Sequence, residues 1–143
     1  MSVKKSILIF ILFLFFSNIQ SQSVLGRWKA INEENGKAIC IVEIYKEEGQ
    51  YFGKVKRILK EVDRDRLCSN CEGDLKDAPV EGMVVIEGLE KDGDYYSGGT
   101  ALDPKSGKEY RCKIWLDELD PDVLKVRGYL AIFYRTQSWE RDN

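Results

Sequence analysis

The sequence predicts an all-β domain, a single eight-stranded antiparallel up-and-down barrel, and three observations lead there. No stretch beyond the N-terminal segment keeps apolar residues at a helical period of 3.6. Short runs alternate between apolar and polar residues instead, as half-buried strands do. Most of these runs are joined by connections short enough for hairpins, so closure into a barrel is the direct way to remove exposed strand edges. A two-sheet sandwich is the alternative that the same cues allow.

The first strand is read over Leu25 to Ile31 and is closed by the turn pair Asn35-Gly36. Lys37 to Tyr45 follows, with Ala38, Cys40, Val42 and Ile44 on one face. Glu47, Glu48 and Gly49 turn the chain into a third strand, Tyr51 to Leu59. From Lys60 to Pro79 the pattern breaks into a polar loop carrying Cys68, Asn70, Cys71 and Gly73, and a connection of that length in a compact domain is commonly functional or cross-linked. Strand pattern returns over Gly82 to Glu87 and, past Asp92-Gly93, over Asp94 to Leu102. The run Asp103-Pro104-Lys105-Ser106-Gly107 is a strong turn, because proline presets its own φ and glycine accepts a positive one. Lys108 to Leu116 places Tyr110, Cys112, Ile114 and Leu116 on one face. Val123 to Tyr129 and Ala131 to Trp139 complete the count, with a break expected near Gly128.

Residues 1–21 read as a secretory signal peptide and residues 22–143 as the barrel domain. Lys4 and Lys5 precede an uncharged apolar run from Ile7 to Phe16, and the small, polar stretch Ser17 to Gln22 supplies a cleavage site, placed after Ser21. The run is well short of the roughly 20 residues that span a bilayer, so no stable membrane anchor is expected in the mature form. The mature protein is therefore expected to be periplasmic or secreted. Of the 22 Lys and Arg, Lys4 and Lys5 leave with the signal, so 20 face 24 Asp and Glu, a formal charge of −4. Charges of both signs are interspersed, which gives no basic stripe for nucleic acid.

There is no histidine. Nucleophile systems that depend on imidazole, and His-ligated zinc, are excluded. An enzyme would have to run on carboxylates, Tyr, Lys or Cys, and no motif gathers these into one site. No catalytic residue, metal site or cofactor is assigned.

Gly26-Arg27-Trp28 on the first strand, with an Arg on a late strand packing across the indole, resembles the structural signature of lipocalin- or calycin-like barrels. Trp28 and Arg135 are the expected closing pair, with cation–π stacking as the physical link. The ordered segments Asp103 to Tyr110, Leu124 to Tyr129 and Arg135 to Arg141, with Cys68-Ser69-Asn70-Cys71 between them and the first triplet, resemble the DUF2147 family of small exported bacterial proteins. The resemblance spans roughly Leu25 to Arg141; it implies a lipocalin-like barrel and carries no catalytic residues.

Cys68 and Cys71 form a Cys-x-x-Cys. In an exported chain the pair is most simply a local disulfide that pins the long loop, whereas a redox or metal role needs a context not visible in the sequence. Cys40 and Cys112 share the apolar phase of their strands and are expected to point into the barrel as thiols or, if close enough, as a second disulfide. Arg127, Tyr129 and Arg135 are the candidates for binding a ligand, since arginine offers a planar fork to a carboxylate or phosphate. The favoured function is a binding module for a small apolar or amphiphilic molecule of the cell envelope. A filled barrel acting as a structural or protein-interaction module, with an exposed patch around Tyr95, Tyr96 or Tyr129, is the alternative, and a thiol redox protein using Cys68 and Cys71 the third.

Overall fold

A computed structural model describes residues 22–143; the expected signal peptide lies outside the described residues. Eight strands close in sequence order, each hydrogen-bonded antiparallel to the next: β1 (Gly26–Ile31), β2 (Ala38–Glu47), β3 (Gln50–Ile58), β4 (Val84–Asp92), β5 (Tyr95–Leu102), β6 (Glu109–Leu116), β7 (Val123–Leu130) and β8 (Phe133–Arg141). The up-and-down barrel is the architecture expected, and the sandwich is excluded. The barrel closes through a narrow seam, where β1 meets β8 only at Trp28↔Arg141 and Lys29↔Glu140.

β8 runs Phe133–Arg141 rather than the expected Ala131 to Trp139, and two further departures have a local cause. β4 continues to Asp92 instead of stopping at Glu87, because the strand bulges at Gly88 (φ 68°) and the alternation changes phase there. Gly99 lies across from that bulge, and a Cβ on it would overlap the Glu87 carbonyl oxygen. Nor does the chain break at Gly128. β7 runs on to Leu130, and the turn falls at Ala131 and Ile132, with Ala131 held at φ 55°.

The antiparallel order gives the barrel two unlike ends. At one end lie the β2–β3, β4–β5 and β6–β7 turns and the segment leading into β1. Trp28, with no exposed surface, plugs this end, and its Nε1 donates to the Val24 carbonyl oxygen at 2.8 Å. Ile44, Leu89, Ile114 and Leu124 fill the adjoining interior and are 0–1% exposed. Burying each such side chain contributes about 1.5–3 kcal/mol, so the sealed end is a solid core rather than a chamber. At the other end, the mouth, lie the β1–β2 loop, the long β3–β4 connection, the β5–β6 turn and the apex of the β7–β8 hairpin.

The residue stacked on Trp28 is Arg141, not Arg135. The Arg141 guanidinium carbon sits 4.2 Å from the indole centroid, and the group donates to Asp122 Oδ1 (3.0 Å) and to the carbonyl oxygens of Ser23 (3.0 Å) and Pro121 (3.1 Å). Arg135 lies at the mouth, far along β8 from the Trp28↔Arg141 pair, where it ion-pairs with Glu33 at 2.6 Å. Register explains the difference: only the last residues of β8 reach β1.

Candidate functional site

The mouth is covered by the β3–β4 connection. This connection carries two short 3-10 turns, Glu61–Asp63 and Gly73–Leu75, and a bridge between Leu67 and Pro79 folds the loop back on itself around the second of them. Cys68 (0% exposed) and Cys71 (4%) are the buried root of this loop, with their sulfur atoms in contact and their Cα atoms 5.3 Å apart. The Cys68 N–H donates to the Ala78 carbonyl oxygen at 2.8 Å, and the Asp77 N–H donates back to that of Cys68 at 2.9 Å.

The loop is clasped onto the β5–β6 turn that the sequence marks so strongly. Asn70 Nδ2 donates to the Lys105 carbonyl oxygen at 2.9 Å, and Cys68 Sγ lies 3.3 Å from that of Pro104. Asp103 holds the turn by accepting from the Lys105 N–H and the Ser106 hydroxyl, both at 2.9 Å. Gly107 (φ 72°) completes it, and a Cβ there would run into the Asn70 carbonyl. Only glycine meets both demands, a positive φ and a backbone at van der Waals distance.

Between the clasped loop and the barrel rim lies a cleft of about 530 Å³. Leu75 from the loop, Val84 and Val85 from β4, Leu102 from β5, Tyr110 from β6 and Leu130 from β7 supply its apolar wall. Its ionisable groups are mainly carboxylates, Glu72, Glu87 and Glu109, with Lys108 at the edge. On the far side of Leu75 a second, more open depression of about 460 Å³ runs past Ala78, Pro79 and Met83. A concave surface that mixes apolar and polar groups in this way can take a small amphiphile.

Arg127, Tyr129 and Arg135 are not brought into this cleft. Arg127 and Tyr129 sit together on the outer face of the barrel: the Arg127 guanidinium carbon is 4.3 Å from the Tyr134 ring centroid and 4.9 Å from that of Trp115, while its Nε donates to Thr136 Oγ1 at 2.7 Å. Arg135 projects apart from them toward Glu33. Nor do the tyrosines named from the sequence form one patch. Tyr96 packs edge-on against the buried Tyr51, ring centroids 4.6 Å apart, while Tyr95 is 40% exposed beside Trp115. Glu87 and Glu109 were legible only as polar members of an alternation; what makes them cleft residues is that they flank β5, opposite Thr100 and Leu102.

Cys40 and Cys112 are free and lie on strands separated around the barrel, Cys40 paired with Ala30 and Ile58, Cys112 with Gly99 and Gly128. Burial pushes their thiols up, to about 11 for Cys40 and about 12 for Cys112, which keeps both protonated and weakly nucleophilic at neutral pH.

A family model described as an uncharacterized protein conserved in bacteria (DUF2147) matches residues 26–141. No curated protein matches the sequence. Among solved structures the chain is similar to protein HP1028 from the human pathogen Helicobacter pylori, which belongs to the lipocalin family. The two share 16% identity and a TM-score of 0.72, over 86% of this chain and 85% of that one. At that identity the likeness is one of fold.

Proposed function

We propose, from the premise that this chain belongs to the DUF2147 family, that it is an exported lipocalin-like binding protein whose mouth cleft takes a small amphiphilic molecule. The observation that carries this reading is the cleft itself. Its volume of about 530 Å³ falls within the range of small-molecule sites, and its lining combines apolar side chains with carboxylates. The solid packing around Trp28, Ile44 and Leu124 argues that a ligand rests at the mouth rather than deep in the barrel. Carboxylates outnumber cations around the cleft, which favours a headgroup that is cationic or rich in hydrogen-bond donors. Residues 1–21 support export, and in an oxidising compartment the Cys68–Cys71 contact is a disulfide that fixes the loop. The near-complete burial of both sulfur-bearing residues weighs against a redox enzyme, whose attacking thiol must be reached by its substrate.

The test combines native mass spectrometry of the exported protein with a thermal-shift panel of fatty acids, phospholipids and cationic amphiphiles. A ligand present at a hundred times its Kd stabilises by about 2.7 kcal/mol, a shift of several degrees. Leu102→Trp, which fills the cleft, is expected to abolish that shift while leaving the barrel folded. No bound species and no shift across the panel would sink the proposal.

A further inference from the structure

The β7–β8 hairpin ends in an apolar apex that the rest of the molecule leaves uncovered. Ile132 is 87% exposed, Phe133 73%, Tyr134 63% and Leu130 57%. The apex has a defined shape. Leu130 pairs with Phe133 and Tyr129 with Tyr134, and Arg111 Nη2 donates to the Ala131 carbonyl oxygen at 3.4 Å.

Immediately behind the apex, the outer faces of β6 and β7 carry a collar of cations laid on aromatic rings. Arg111 lies 5.7 Å from the Tyr129 centroid and Arg127 4.3 Å from that of Tyr134, whereas Lys113 turns toward the sealed end, its Nζ 3.8 Å from the centroid of Tyr95. None of these three makes an ion pair among the described residues, although the protein as a whole is acidic. Of the carboxylates of this end, Glu72, Glu87 and Glu109 border the cleft, and Glu33 is paired with Arg135.

From this arrangement we infer that the hairpin is a docking device for the surface of an anionic phospholipid bilayer. The apex enters the boundary between headgroups and acyl chains, and Arg111 and Arg127 meet the phosphates. An apolar wedge backed by tyrosines and cations matches the layering of a membrane interface, where apolar side chains go deepest, amphipathic rings sit at headgroup depth and cations face the anionic surface. A protein partner fits less well. Stable protein interfaces engage about 20–30 residues a side on complementary surface, whereas this apex is a narrow, convex projection. Because Leu130 belongs both to the apex and to the cleft wall, docking would set the cleft beside the lipid from which an amphiphile comes.

The experiment uses residues 22–143, which hold all eight strands and the contacts that seal the barrel around Trp28. Binding to phosphatidylcholine vesicles is measured by co-sedimentation, with and without phosphatidylglycerol. Binding is expected to require the anionic lipid and to weaken with salt. Arg111→Gln and Arg127→Gln should each weaken it about fivefold, and Ile132→Ser combined with Phe133→Ser at least about tenfold. The exposure of Arg111, Ile132 and Phe133 predicts unchanged melting temperatures for their variants, whereas half-buried Arg127, bonded to Thr136, is compared at matched folded fraction. As a second readout, Ile132→Trp should give a blue-shifted emission component on anionic vesicles alone. The inference is overturned by no binding, by binding indifferent to lipid charge, or by binding that survives the apex substitutions. It also fails if the apex substitutions instead break a dimer of this chain, seen by analytical ultracentrifugation.

Discussion

The two ends of the barrel solve opposite problems with the same eight strands. At the sealed end the plug is fully satisfied: the Trp28 indole is out of solvent, its N–H reaches a backbone oxygen, and Arg141 lies across it while bonding three neighbours. At the mouth the loop is held mainly by backbone contacts around Cys68, Asn70 and Gly107, and apolar side chains remain uncovered on both the cleft wall and the hairpin apex. Packing is thus tightest around Trp28, where β1 and β8 close the barrel, and apolar surface is left uncovered where the chain is tied down more lightly. Such a division is expected of a scaffold whose binding elements come from its less stable regions.

The largest test of this contrast removes the plug. Trp28→Ala is expected to cost about 3–5 kcal/mol, the range for deleting a buried aromatic, read as the loss in a urea or thermal unfolding curve. Arg141→Ala should follow at about 2–3 kcal/mol, since it removes the cation over the ring together with its hydrogen bonds. Arg135→Ala at the mouth, with a side chain 73% exposed and one surface ion pair, should cost under about 1 kcal/mol. Equal losses for Arg135→Ala and Arg141→Ala would erase the distinction between the ends.

A smaller effect is expected from the mouth's own fastening. If Cys68 and Cys71 are bridged, Cys68→Ser removes a short covalent loop worth about 2 kcal/mol, and the loss should appear as increased proteolysis of the β3–β4 connection before global unfolding. Thiol counting checks the premise. Unfolded without reductant, the mature protein should expose two reactive thiols, those of Cys40 and Cys112, and with reductant all four. In the native state at neutral pH even those two should react slowly, because their thiols ionise only near 11 and 12.

These two ends were not equally legible in the sequence. All eight strands could be read from alternation and turn chemistry, because each half-buried strand writes its own period. Trp28 also announced itself, as the last residue of the recognisable triplet Gly26-Arg27-Trp28. Its partner did not. Arg135 and Arg141 both lie on β8, and only the register against β1, a nonlocal property, puts Arg141 over the ring. The cleft was hidden for the same reason: Glu72 and Leu75 come from the β3–β4 connection, Glu87 from β4, Glu109 from β6 and Leu130 from β7, and no short motif joins them. The apex was obscured by its turn. Ala131 adopts the positive φ that glycine usually supplies, so the sequence pointed to Gly128, which lies within the strand.

The smallest expected effect separates the ends by pH. Asp117 sits in the β6–β7 turn at the sealed end, where its Oδ1 accepts the N–H groups of Leu119 (2.9 Å) and Asp120 (3.1 Å) and its Oδ2 lies 3.7 Å from Lys125 Nζ. The Leu119 N–H above all, with the Asp120 N–H and the Lys125 charge, holds the carboxyl below its ordinary value of 3.8. A depressed pKa means that the folded state prefers the carboxylate. Its contribution is therefore present above pH 3.8 and is lost as the pH falls through the lower, folded value. Asp117→Asn keeps an oxygen for the two N–H groups but removes the charge, so the variant should melt slightly lower than the wild type at neutral pH. That difference should shrink only below pH 3.8. A difference that persists unchanged at lower pH would mean that the side-chain geometry, rather than its charge, fastens this turn.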